Sequence, residues 1–375
     1  MTQLSDTNLA LFLDNGTSLE RWDQVGILSR ELAIYNRMAS SFRRIYIFTY
    51  GTKQDLSYQH AVEKNIVIIP KAIRLYDYLY EIAIPFRHRR ILAQCGILKT
   101  NQCSGSLAAI ITKWLYHNKC VARFGFVGSS VVKRLHRPLH YRWYIGLSEY
   151  LSCRFADRIF MPMKNNVDHL RTRYAFAKDK IVQMNNAIDT DLFSPQPTEK
   201  KYDIIYVAHL NDNKNHRAIL EAISGLTVSV CFIGRGPQEH SLKEFAAQQH
   251  ISLDIIAQVP NQDLPKYFNA SRLCVFPSLH EGNPKSLLEA MSCALPVIGF
   301  DVTGVHDLII SGKTGLLSQN TVSSLRSNIE ILLQDKARQA ELGKKARAYI
   351  MEYFSLTNIA QKELAIYQQL LNHDH

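Results

Sequence analysis

Phe276-Pro277-Ser278-Leu279-His280-Glu281-Gly282-Asn283-Pro284-Lys285-Ser286-Leu287-Leu288-Glu289-Ala290-Met291 reads as a strand, a loop and a helix in succession. A buried β-rich run ends at Pro277, Gly282 and Pro284 mark the loop, and Leu287-Leu288-x-Ala290-Met291 is apolar in helical register. Pro284 stands where a first helical turn tolerates a missing N–H. The helix therefore starts at the carboxyl end of a strand. Ligands of open α/β sheets bind at that end, and the first-turn N–H groups around Lys285, Ser286 and Leu287 favour a phosphate. Glu281 lies on the loop and Glu289 about one turn into the helix, so both carboxylates can face one ligand from different heights. The plainer alternative makes Glu281 a solvated acid and Glu289 an i, i+4 partner of Lys285. It leaves unexplained why an acid opens an otherwise buried helix, a position that usually has a binding task.

Outward from this segment, short apolar runs alternate with longer amphipathic ones, the pattern of parallel sheets covered by helices. Strands are expected at 9–13, 45–49, 66–69, 96–99, 120–124, 158–161 and 181–184, then at 204–208, 228–233, 253–257, 273–276, 296–299 and 315–317. Between the two series, Asn186 to Lys201 is polar and contains Pro195 and Pro197, which reads as a linker. Helical sequence from 323 to 371, broken near Phe354-Ser355, closes the chain. A chain of 375 residues exceeds one compact core, so two α/β domains are expected, 1–198 and 199–354.

Charge divides the halves. Residues 1–198 carry 27 Lys and Arg against 15 Asp and Glu, a net +12, whereas 199–375 carry 17 against 18. No acid occurs between Glu81 and Glu149, while Arg87, Arg89, Arg90, Lys133, Arg134, Arg137 and Arg142 do. Such a field attracts an anionic partner: lipid headgroups, a phosphorylated acceptor or nucleic acid. Nucleic acid is the weakest of these, because no helix-turn-helix, zinc or aromatic-basic RNA signature accompanies the charge. The seven scattered cysteines form no C-x-x-C pair and suit a reducing cytosol. No export signal or spanning segment is visible.

Two further patterns are set aside. Asp189-Thr190-Asp191 spells a metal-binding D-x-D but sits in the linker, where its acids read as turn caps, so no metal is expected. Gly234-Arg235-Gly236 follows a strand but lacks the third glycine of a dinucleotide fingerprint.

The Glu281/Glu289 spacing, with Tyr206-Val207-Ala208-His209-Leu210 and Lys214, Ile233-Gly234-Arg235-Gly236-Pro237, and Thr314-Gly315-Leu316-Leu317, resembles the retaining GT-B glycosyltransferases of the E-x7-E, family 4 group. Asn186 to Pro195 resembles the interdomain segment of that family, and the end from Tyr353 through Tyr367 resembles the helix that crosses back to the first domain. The likeness in the first half rests on Gly16 and on Arg123-Phe124-Gly125. The resemblance implies two facing Rossmann-like domains: an acceptor domain, 1–198 plus the 355–375 helix, and a donor domain, 199–354.

It also implies site residues. Glu281 would bind donor-sugar hydroxyls, with Gly282, Asn283, Pro284, Lys285, Ser286 and Leu287 steadying sugar and phosphate. Glu289 would hold both ribose hydroxyls, Val259 would meet the base, and Gly16 would complete the donor site. Lys214 would neutralise the diphosphate, assisted by His209, which stands where the family has arginine and is cationic only when protonated. Ala294 and Ala187 replace two family glycines. Asn101, Gln102 and Arg123 are the acceptor-side candidates.

The implied activity is that of a retaining, metal-independent hexosyltransferase with no cofactor. It would take a UDP- or GDP-linked sugar and serve a lipid-linked or polysaccharide-precursor glycan, in the cytoplasm or peripherally on an anionic inner membrane face. The alternatives are a non-catalytic GT-B scaffold and a GT-B phosphorylase.

Overall fold

The computed structural model describes residues 3–134 and 136–372; Leu135, inside the basic 133–137 run, and the Arg134 side chain lie outside the described residues. The chain divides into two compact units, Met1–Asn185 with Ile359–His375, and Asn186–Asn358.

In the first unit β1 (Asn8–Phe12), β2 (Arg44–Phe48), β3 (Ile66–Ile69), β4 (Cys95–Thr100), β5 (Lys119–Arg123), β6 (Arg158–Met161) and β7 (Ile181–Gln183) form one parallel sheet, ordered β3-β2-β1-β4-β5-β6-β7. All five β1 residues are buried, as a strand covered by helices on both faces requires. Phe12 stacks on Phe48 with centroids 5.2 Å apart. The Asp77–Arg87, Ser106–Tyr116 and Leu139–Phe155 helices pack side by side, the middle one touching both neighbours.

The last helix, Leu356–Asn372, enters this unit from Ile359 onward. It buries Ile359, Tyr367 and Leu370, each aliphatic side chain worth about 1.5–3 kcal/mol of apolar burial. It also brings Glu363 to Lys99 of β4, forming an ion pair in which both side chains are fully buried. Burial alone would lift the Glu363 carboxyl; the Lys99 ammonium and the Arg123 guanidinium pull it below its ordinary value, and Tyr367 donates a 2.8 Å hydrogen bond.

In the second unit β8 (Tyr202–Val207), β9 (Ser229–Ile233), β10 (Ser252–Ile256), β11 (Ser271–Phe276), β12 (Val297–Phe300) and β13 (Leu316–Ser318) are again all parallel, ordered β10-β9-β8-β11-β12-β13. Every strand expected from the sequence is present, with ends displaced by two residues at most.

Three expectations are refined. The 186–201 stretch is more than a linker, because Ile188 and Phe193 are buried in the core of the second unit and Ile188 bridges to Ser355. The first stretch of that unit therefore starts at Asn186, ahead of 199. The terminal helical sequence breaks at Asp335 as well as at Phe354-Ser355, since the Asp335 side chain caps a new helix by accepting from Arg338 N at 2.8 Å. All seven cysteines are free and buried.

Candidate functional site

The strand order of the second unit reverses direction between β8 and β11, which opens a crevice at their carboxyl ends. After β8 the chain makes a tight turn through Ala208 and His209, anchored by the fully buried Leu210. Only glycine fits opposite this turn: a Cβ on Gly234, at φ +153, would stand 2.0 Å from the Ala208 carbonyl oxygen. The Asn211 side chain then accepts from Lys214 N at 3.1 Å and caps the short Asp212–Lys214 turn.

The loop after β11 is tied to the same turn. Tyr206 Oη and Ser278 Oγ lie 2.6 Å apart, Leu279 N donates to the Asn213 carbonyl at 2.8 Å, and Asn213 Nδ2 donates to the His280 carbonyl at 2.9 Å. The result places Lys214 Nζ 2.5 Å from Glu281 Oε1. A third strand-end segment backs the carboxylate: Glu281 N donates to the Thr303 carbonyl at 3.3 Å, and Gly304, at φ +86, lies so close that a Cβ would come within 2.4 Å of the Glu281 carbonyl oxygen. Lys214 keeps about a fifth of its side chain exposed, so an anion arriving from solvent can share its three donors with Glu281.

Glu289 is buried on the Lys285–Ser292 helix and accepts from Asn261 Nδ2 at 2.9 Å. Asn261 follows two residues after Val259, which joins the sequence-expected base position to the ribose position by one hydrogen bond. Pro284 precedes the helix as its N-cap in extended conformation and offers no side-chain acceptor to the first turn. Gly282 is exposed, and both amide atoms of Asn283 are buried without a hydrogen-bond partner among the described residues. His209 is exposed, its Nδ1 3.4 Å from Asn211 Nδ2. Asp189 Oδ1 accepts from Asp191 N at 3.2 Å and Leu192 N at 3.0 Å, the role of a turn cap. Of the two alanines standing for family glycines, Ala294 adopts φ +55, a left-handed conformation that suits glycine, whereas Ala187 has no positive φ.

Four sequence-expected residues lie in the first unit instead. Gly16, at φ +76, follows β1, and Asn101 and Gln102 follow β4, so they flank the corresponding reversal of order between β1 and β4. Asn101 is buried and accepts from Tyr35 Oη at 3.5 Å, while Gln102 Oε1 accepts from Gly125 N at 2.6 Å. Arg123 Nη1 lies 3.9 Å from Glu363 Oε1, inside the ion cluster of the last helix.

Sequence reasoning missed Asp14 and Glu81 at this place. Burial pushes the Asp14 carboxyl up to about 7, with the charges of Glu31 and Glu81 adding to it, and Asp14 Oδ1 is buried without a hydrogen-bond partner among the described residues. Burial likewise lifts Glu81 to about 7, although Tyr144, Asn15 and Leu107 N–H bond to it. The Tyr144 hydroxyl reaches both Glu81 Oε2, at 2.7 Å, and the Ser104 carbonyl. With one proton to give, it satisfies both only when the carboxyl is protonated. No motif marks these acids; the nearest signal is Asp14-Asn15-Gly16 directly after a strand.

Two parallel sheets, each with its order reversed beside the first strand, and a lysine–glutamate pair at the second reversal define the GT-B fold, and the chain resembles the glycosyltransferases built on it. Residues 187–349 match the family model for glycosyl transferases group 1, so the second unit carries the recognised domain. O-antigen chain mannosyltransferase B of Escherichia coli is 28% identical over 183 residues, 43% of this chain and 48% of that protein. The chain spans about half the length of the first curated relatives it matches. Among solved structures, HepE of Anabaena in complex with UDP superposes with a TM-score of 0.75 at 14% identity, covering 97% of this chain and 100% of that one. A glycosyltransferase from Rickettsia africae superposes with a TM-score of 0.76 at 16% identity, covering 98% and 99%. Among the described residues no helix is long and apolar enough to cross a membrane.

Proposed function

We propose that the protein is a retaining, metal-independent hexosyltransferase that uses a UDP- or GDP-linked sugar and extends a lipid-linked or polysaccharide-precursor glycan. The observation that carries this reading is the 2.5 Å Lys214–Glu281 pair at the β8/β11 reversal, a cation and a hydroxyl acceptor at the place where such sheets bind ligands. The diphosphate lies against Lys214 and the first turn of the Lys285–Ser292 helix, with His209 adding charge when protonated. Glu281 turns to the sugar hydroxyls, the amide of Asn283 gains the partners it lacks, and Glu289 takes the ribose beside a base at Val259. The bond between the anomeric carbon and the phosphate oxygen breaks as the acceptor oxygen bonds to that carbon on the same face. The acceptor proton passes to the departing phosphate. Lys214 stabilises the charge that grows there, and no protein nucleophile or cofactor takes part.

The O-antigen relative and the UDP-bound HepE support a nucleotide-sugar donor and a polysaccharide role. The first unit then serves the acceptor, with Gln102 and the groove beside Asp14 as its polar lining. Its net charge supports a peripheral position on an anionic inner membrane face. Incubation with a panel of nucleotide sugars, reading nucleotide release with and without acceptor lipids, tests the proposal. Release from one donor is expected. Tight donor binding without release would leave a scaffold, and sugar-phosphate formation from glycosides with inorganic phosphate would make it a phosphorylase.

A further inference from the structure

Three adjoining helices of the first unit, Asp77–Arg87, Ser106–Tyr116 and Leu139–Phe155, each bury one side and expose large apolar side chains, the middle helix packing on β4 and β5 and touching both neighbours. Ile82 and Phe86 on the first, Trp114 on the second, and Leu139, Trp143 and Leu147 on the third are all between 46% and 79% exposed. The spacing is four residues within the first helix and again within the third, so each set forms a stripe along one helix face. A groove of about 660 Å³ runs beside the third stripe, lined by Trp143, Leu147 and Arg142. Single exposed apolar residues need no explanation, but a layer of three helices displaying them together marks a contact surface.

The charge on this face selects the partner. Of the acids on the three helices, Glu81 and Glu149 are buried and Asp77 pairs with Lys71 at 2.6 Å, whereas Arg87 and Arg154 are exposed and Arg89 and Arg90 follow the first helix exposed. Tryptophan, leucine and phenylalanine with a basic rim and no free carboxylate fit the headgroup zone of an anionic bilayer.

We propose that this three-helix face docks on an anionic lipid leaflet and inserts its apolar side chains below the headgroups. The inference rests on the membrane-peripheral reading above and deepens it, since charge alone would hold the protein above the surface. The tryptophans make the difference measurable: Trp114 and Trp143 lie on the face, and Trp22 is buried elsewhere in the unit.

The full chain is floated with phosphatidylcholine vesicles containing phosphatidylglycerol. Binding is expected together with a blue shift of tryptophan emission and quenching by brominated acyl chains. The uncharged pair Trp143→Ser with Leu147→Ser should weaken binding about tenfold at fixed salt while leaving nucleotide diphosphate affinity and the thermal midpoint unchanged. Binding that survives this pair, shows no bromolipid quenching and disappears in Arg87→Gln, Arg89→Gln, Arg90→Gln would overturn insertion yet keep a purely electrostatic attachment. No binding to anionic vesicles at low salt would remove both. A concentration-dependent dimer that the serine pair dissociates, in a protein that ignores vesicles, would reassign the face to a second copy of the chain.

Discussion

The two units build the same crevice twice and furnish it with opposite chemistry. Each sheet reverses order beside its first strand, but the reversal in the second unit holds Lys214 against Glu281, a cation within solvent reach, and the one in the first unit holds two carboxyls lifted to about 7. Topology thus provides a place for a ligand, and the loop residues decide its sign. An anionic diphosphate suits the second crevice; hydroxyl groups, which give and accept protons, suit the first.

The largest effect should come from the buried pair that completes the first unit. Glu363→Ala leaves the Lys99 ammonium buried without its carboxylate and should cost about 3–5 kcal/mol, read as a lowered midpoint of denaturant unfolding. A loss below 1 kcal/mol would mean that the last helix adds little to this unit.

Next in size is the pH response of the first crevice. A carboxyl raised in the fold, as Glu81 is from 4.5 to about 7, stabilises the fold fully below the unfolded value and loses that contribution as pH rises through about 7. Stability should therefore fall by roughly 3 kcal/mol at most between pH 4.5 and 8 on account of this group, and Glu81→Gln should flatten the profile. An unchanged slope in the variant would return the effect to Asp14 or to other groups.

The second crevice is tested through its ligand. Glu289→Ala should weaken nucleotide diphosphate binding by roughly 1–3 kcal/mol, while Glu281→Ala should lower turnover and leave that affinity nearly intact, as calorimetry and initial rates would report. Equal affinity losses would erase the division between ribose and sugar carboxylates.

The smallest change concerns strain in the second unit. Ala294 holds φ +55, so Ala294→Gly should stabilise by about 1 kcal/mol and raise the unfolding midpoint without altering kinetics. A destabilised variant would show that the methyl group packs better than the backbone suffers.

The two units were also unequally legible. Short apolar runs located every strand in both, because buried parallel strands leave a signal that needs no partner information. In the second unit a candidate site could also be proposed, since Lys214, Glu281 and Glu289 lie in short strand-to-helix segments whose geometry is local. Asn213 and Asn261, which brace those residues through hydrogen bonds from other loops, carry no such local mark. In the first unit the decisive contacts are long-range: Glu81 meets Asn15 across 66 residues and Tyr144 across 63. Arg123, read as an acceptor residue, stands beside Glu363 for the same reason.

The pairing of Lys99 with Glu363 across 264 residues has a consequence for how the molecule is made. The second unit is continuous in the chain, from Asn186 to Asn358, so everything it needs to close leaves the ribosome before the part of the Leu356–Asn372 helix that starts at Ile359. The first unit begins earlier and ends later. Its β4 lysine must stay hydrated through most of synthesis, and the nascent sheet has to tolerate an open flank until the Leu356–Asn372 helix arrives to cover it.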